Sequence, residues 1–177
     1  MISFTDKIFI DNLDTFENIS LDSDKNISMT NSLIQAINFD NVKTSYLKAK
    51  NLSEHSLKSC DALYSHKSGH LFIEFKNGNI GKKANETRIK VGDSLLILGD
   101  IKNINIVSVS RNEMEFILVY NASANGITKS QNEIHNHLSD LSNTENVLFG
   151  LLRYKGVYFK DVHTFTVNEF EEYLASL

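Results

Sequence analysis

The stretch Cys60-Asp61-Ala62-Leu63-Tyr64-Ser65-His66-Lys67-Ser68-Gly69-His70-Leu71-Phe72-Ile73-Glu74-Phe75-Lys76 constrains the fold more than any other part of the chain. Asp61 to His66 and Leu71 to Lys76 are short runs rich in apolar and aromatic residues. Between them lies Lys67-Ser68-Gly69-His70, where glycine permits the positive φ of a tight reversal. The pattern predicts a β-hairpin. Period-two alternation in its second strand sets Leu71, Ile73 and Phe75 on one face and Phe72, Glu74 and Lys76 on the other. Glu74 and Lys76 therefore project together, and Asp61 joins them if sheet twist or a bulge brings the start of one strand beside the end of the other.

The three side chains have a shared chemistry. Two carboxylates can hold a hard cation such as Mg²⁺, which keeps several waters and accepts phosphate oxygen as a further ligand. The ion offsets phosphate charge and acidifies a bound water, and a nearby lysine orients that water or steadies developing negative charge. A main-chain carbonyl at Phe75 could complete the coordination. Lysine as the base itself would need a lowered pKa, which neighbouring carboxylates oppose.

With Asp61 as the first acidic position and Glu74-Phe75-Lys76 as E-x-K across a hairpin, the chain resembles the PD-(D/E)xK nuclease superfamily. The resemblance implies Asp61 and Glu74 as ligands of Mg²⁺ or Mn²⁺, with the Phe75 carbonyl, and Lys76 as the water-positioning group. It also implies an α/β fold: a restriction-endonuclease-like αβββαβ core whose mixed central β-sheet is flanked by helices. The proline that precedes the aspartate in that family is replaced by Cys60, and the chain contains no proline. Against this stands a plain alternative: Glu and Lys at alternate positions are ordinary on the solvent face of an edge strand.

Composition limits what such a chain can do. Its 177 residues, 41% hydrophobic and 23% charged, suit one domain with a substantial core and argue against disorder. The net charge of -4 gives no general attraction to a polyanion, so contact with DNA or RNA has to rely on local patches and bound cations. A single cysteine, Cys60, excludes an internal disulfide and fits a reducing compartment. The first residues, Met1 to Lys7, lack a basic segment followed by a long apolar stretch, so the expectation is a cytoplasmic chain with no membrane association.

Along the chain, Asp24 or Asn26 is expected to start a helix carrying Ile27, Leu33, Ile34 and Ile37, followed by a strand over Val42 to Ala49. Asn77-Gly78-Asn79-Ile80-Gly81 reads as a turn, Glu86 to Leu98 as a helix across Gly92, and Glu115 to Tyr120 as a buried strand. This defines a nuclease-like core over about 24–125 and a C-terminal extension over about 126–177 of one domain. In the extension, Glu133 to Leu141 reads as a helix and Val162 to Val167 as a strand. Asn168 with Glu171 forms an approximate capping box before an amphipathic helix bearing Phe170, Tyr173, Leu174 and Leu177. That stripe packs on the core or, alternatively, forms a homodimer or protein-partner surface.

Other motifs fail on spacing. Asp22-Ser23-Asp24-Lys25-Asn26 begins like a calcium loop, but Ile27 stands where glycine is required and Leu33 where the bidentate acid belongs, leaving a polar turn and helix cap. Cys60, His66 and His70 lack a fourth zinc ligand and alternate in direction along the hairpin, which favours solvated histidines. His135 and His137 diverge on a helix, and Cys60 has no identifiable base. Lys82, Lys83, Arg88 and Lys90 follow the motif closely and are expected to line the approach of a nucleic-acid backbone, unless they form a solvated helix start. Two functions follow: a metal-dependent nuclease, or a catalytically inactive nuclease-fold protein acting as an interaction module.

Overall fold

The computed structural model describes residues 2–81, 84–127 and 147–177. In chain order these form α1 (Lys7–Ile10), β1 (Leu13–Thr15), α2 (Phe16–Ile19), β2 (Leu21–Asp22), β3 (Ile27–Ser28), β4 (Gln35–Asn38) and α3 (Phe39–Ala49). There follow β5 (Ala62–His66), β6 (Gly69–Lys76), α4 (Ala84–Lys102), α5 (Ile106–Glu113), β7 (Met114–Tyr120), β8 (Asp161–Thr166) and α6 (Val167–Ser176). The architecture is mixed α/β: a six-stranded sheet in the order β1-β4-β5-β6-β7-β8, flanked by helices, beside a two-stranded β2-β3 ribbon.

Strands β1, β4, β5 and β6 pair antiparallel in succession, whereas β6-β7 and β7-β8 pair parallel. The change of direction falls where α4 and α5 carry the chain from the end of β6 back to the start of β7, as a parallel pair requires. Strand β7 lies between two parallel partners with both faces covered, which accounts for its unbroken apolar run Phe116-Ile117-Leu118-Val119.

Alternation along β6 divides the interior in two. Phe72 faces a cluster that takes Phe39, Val42 and Leu47 from α3 and Val91, Leu95 and Leu98 from α4. Leu71, Ile73 and Phe75 face a second cluster closed by Phe16 of α2 and by Phe170 and Leu174 of α6. Each fully buried ring contributes about 1.5–3 kcal/mol of transfer free energy, so both layers are integral to the sheet. Strand β8 and helix α6, placed by sequence in an extension, pair with β7 and cover the second face.

Three sequence expectations are corrected. The helix from Asp24 or Asn26 is absent: Asn26 takes a positive φ of 53°, and the segment continues into β3 and β4. Of its supposed stripe Ile27 is 58%, Leu33 72% and Ile34 39% exposed, and Ile37 is buried as a residue of β4 rather than of a helix. The backbone instead serves the neighbouring elements, with Phe16 N–H donating to the Ile34 carbonyl and Glu17 N–H to that of Ser32. The strand over Val42 to Ala49 is the helix α3, capped by the Asn38 side chain and burying Phe39, Val42, Tyr46 and Leu47 at helical spacing. The last helix starts two residues early, with Thr166 and Glu169 forming the capping box.

The other expected elements fall close to their bounds, while α1, β1, α2 and α5 are elements that the sequence reading does not anticipate. Glu86 to Leu98 lies inside α4, where Gly92 meets open space, and Val162 to Val167 overlaps β8. Among the described residues no helix is long and apolar enough to cross a membrane. The helix expected over Glu133 to Leu141, with His135 and His137, lies outside the described residues.

Candidate functional site

The hairpin reverses through two residues, Lys67-Ser68, because His66 pairs with Gly69. Gly69 is therefore inside β6, and its need for glycine is steric: a Cβ would stand 2.8 Å from the Glu113 carbonyl oxygen. This turn fixes the site. The register runs from His66↔Gly69 to Ala62↔Ile73, and beyond it Asp61 is offset by one residue, its N–H turning to Ile73 as in a β-bulge, which sets Asp61 beside the end of β6. The Asp61 N–H donates to the Ile73 carbonyl at 3.1 Å, and Asp61 Oδ2 accepts the Phe75 N–H at 2.7 Å. Because N–H and C=O of one residue leave an extended strand on the same side, the Phe75 carbonyl points toward Asp61 as well.

Glu74 is fully buried, and its Oε1 lies 2.8 Å from the Lys76 amine. Helix α4 supplies a second cation that sequence assigned elsewhere. The Lys90 amine is 2.7 Å from Glu74 Oε1 and 3.0 Å from Asp61 Oδ1, so it ties the two carboxylates together rather than reaching outward toward a nucleic-acid backbone. Its stem runs along the buried stripe of α4, beside Thr87, Val91 and Ser94. That stripe is the signal that could have revealed it, since a lysine in line with an inward face needs a buried partner. Arg88 is exposed on α4, and Lys82 and Lys83 lie outside the described residues.

Electrostatics within this group are strained. Burial, followed by the Asp61 charge, pushes Glu74 up to about 7 despite the opposing pull of Lys90 and Lys76. Burial also raises Asp61 and outweighs the lowering effects of Lys90 and the Phe75 N–H, and the charge on Asp40 raises it further. Burial alone would lower Lys90, but Glu74 and Asp61 more than reverse this and hold its amine well above the ordinary lysine value. Asp40, at the start of α3, accepts hydrogen bonds from Ser59 and Lys43. Sequence reading missed its position near Asp61 because it depends on the α3 helix.

A cleft of about 470 Å³ opens over this group. Asp40, Asp61, Lys76 and Lys90 line one side, and Asp22, Asp24 and Lys25 of the β2-β3 turn line the other. Asn77 joins them by donating to Asp22 Oδ2 at 2.9 Å. Glu74 lies beneath the floor, its Oε2 buried without a hydrogen-bond partner. That orphaned oxygen, the Asp61 carboxylate and the Phe75 carbonyl suit a hard cation that keeps most of its waters. Among the described residues no group of three or more His, Cys, Asp or Glu side chains forms a self-sufficient metal cage.

The other singled-out residues have structural roles. Cys60 is fully buried, its thiol pushed well up by burial, and its N–H donates to Ser94 Oγ at 2.8 Å. His70, expected to be solvated, is 2% exposed with its ring edge-on to Phe4, because Gly69 and His70 belong to the strand rather than to the turn. His66 stacks on Tyr64. No protein-family model matches the chain, and comparisons with curated proteins and with solved structures return no match.

Proposed function

We propose that this cleft is the centre of a metal-dependent nuclease of the PD-(D/E)xK type, hydrolysing a phosphodiester bond of DNA or RNA. One observation carries the reading: Asp61, Glu74 and Lys76 meet at one end of a hairpin, with Glu74 wholly buried at an energetic cost that packing alone does not require. The meander β4-β5-β6 followed by helices and a parallel β7 supports a restriction-endonuclease-like core, with the difference that α3 lies between β4 and β5.

Asp61, Glu74 and the Phe75 carbonyl would hold Mg²⁺ or Mn²⁺. When bound, the ion supplies Lewis acidity toward a phosphate oxygen and lowers the pKa of its water. Lys76, 16% exposed at the cleft wall and 2.8 Å from Glu74 Oε1, would offer its remaining donors to that water and to a phosphate oxygen. The Phe75 N–H fixes the Asp61 carboxylate so that its other oxygen faces the shared position. The cleft is lined by Asp22, Asp24, Asp40 and Asp61 against Lys25, Lys76 and Lys90, so attraction of a phosphate backbone to it would depend on the bound ion.

The test is cleavage of single- and double-stranded DNA and RNA with Mg²⁺ or Mn²⁺ by the wild type, Asp61→Ala and Lys76→Ala. The reading expects cutting that requires Asp61 for metal binding and Lys76 for turnover with metal affinity largely kept. One observation favours the alternative, a catalytically inactive module that binds a protein partner or a second copy: Lys90 already bridges both carboxylates and, with Lys76, balances their charge. Absence of cleavage and of metal binding would select that reading.

A further inference from the structure

Lys90 reaches the site from α4 and stands within 3.0 Å of oxygens on both Asp61 and Glu74. Those are the carboxylates a divalent cation would share, so the ammonium fills the space a bridging ion needs. With the Lys90 side chain 15% exposed and Glu74 fully buried, little solvent separates the charges, and an ion cannot enter beside the amine without close repulsion. Charge counting leads to the same result. Asp61 and Glu74 already face the two ammonium groups of Lys76 and Lys90, so a divalent ion added beside them leaves an excess of positive charge under low-dielectric cover that Asp40 offsets only in part.

That excess is relieved if Lys90 leaves and an anion arrives. The lysine stem is long and flexible, and Lys90 already lines the cleft, so a change of rotamer carries its amine from the carboxylates to the open space above them. We infer that Lys90 is a resident counter-ion that the metal must displace, and that the displaced amine then meets the phosphodiester, so that metal and substrate bind cooperatively. This rests on the metal-dependent reading above. Linkage makes the coupling reciprocal: a phosphodiester must raise metal affinity by the factor by which metal raises phosphodiester affinity.

The experiment is a Mn²⁺ titration followed by electron paramagnetic resonance, on wild type, Lys90→Met, Lys90→Gln and Asp61→Asn, with and without dimethyl phosphate as a probe anion. The inference expects both Lys90 variants to bind Mn²⁺ on the order of tenfold or more tightly than wild type without the anion. Dimethyl phosphate should tighten Mn²⁺ binding to wild type and leave the Lys90 variants nearly unchanged. If those variants bind no more tightly while Asp61→Asn abolishes binding, Lys90 is not the resident counter-ion and the metal reading stands. A wild type indifferent to dimethyl phosphate overturns the cooperative step. Failure of every form to bind Mn²⁺ removes the metal reading and the inference with it. Acylation of wild-type amines, read by mass spectrometry, covers the case of misfolded variants: Lys90 should be protected in apo protein and labelled several-fold faster when Mn²⁺ is bound. Equal protection in both states overturns the inference.

Discussion

Replacing Glu74 by glutamine should stabilise the protein at alkaline pH. The carboxyl ordinarily titrates at 4.5 and here is pushed up to about 7 by burial and by the Asp61 charge, with Lys90 and Lys76 offsetting only part. The sign follows from linkage: a carboxyl with a raised folded-state pKa contributes its full stability below 4.5 and loses it as pH rises through about 7. At about 1.4 kcal/mol per unit, the shift amounts to about 3 kcal/mol of stability lost by the wild type above pH 7. Glutamine keeps the shape and cannot ionise. Urea denaturation should therefore find Glu74→Gln more stable by about 3 kcal/mol near pH 8, with the difference falling below about 1 kcal/mol near pH 5. A variant less stable than wild type near pH 8 would refute the reasoning, because the ion pairs would then outweigh burial and Glu74 would be a stabilising residue rather than one retained at a cost.

Glu115 should behave in the opposite sense: the hydrogen bond from His163 holds it down to about 2, with Tyr173 donating at 2.9 Å, so its contribution is present above 4.5 and lost as pH falls toward 2. Glu115→Gln should cost up to about 3 kcal/mol at neutral pH and nothing near pH 2, as read from chemical denaturation. Gly69→Ala should destabilise by about 1–3 kcal/mol, since the new Cβ would press on the Glu113 carbonyl; an unchanged melting temperature would contradict the close packing of β6 on the end of α5.

How much of this was legible in the sequence depended on which period a segment carried. The hairpin and the faces of β6 were readable because two-residue alternation is rigid. Glu74 and Lys76 were placed together on that basis alone. The approach of Asp61 to Glu74 is not legible because it depends on a two-residue turn and on the one-residue offset at Asp61, and neither leaves a signature in the alternation of the two strands. Helix α3 was mistaken for a strand although Phe39, Val42, Tyr46 and Leu47 are helically spaced, because the cap at Asn38 went unrecognised. Lys90 was beyond reach as a partner of the carboxylates, since its position requires α4 to pack over the end of the hairpin.

Diffraction at the manganese absorption edge from crystals soaked in Mn²⁺ tests the central claim most directly, since it locates the ion. The account predicts an anomalous peak in contact with the Asp61 and Glu74 carboxylates, with the Lys90 amine moved into the cleft. A cleft without a peak at saturating Mn²⁺, and Lys90 still bridging both carboxylates, would contradict it.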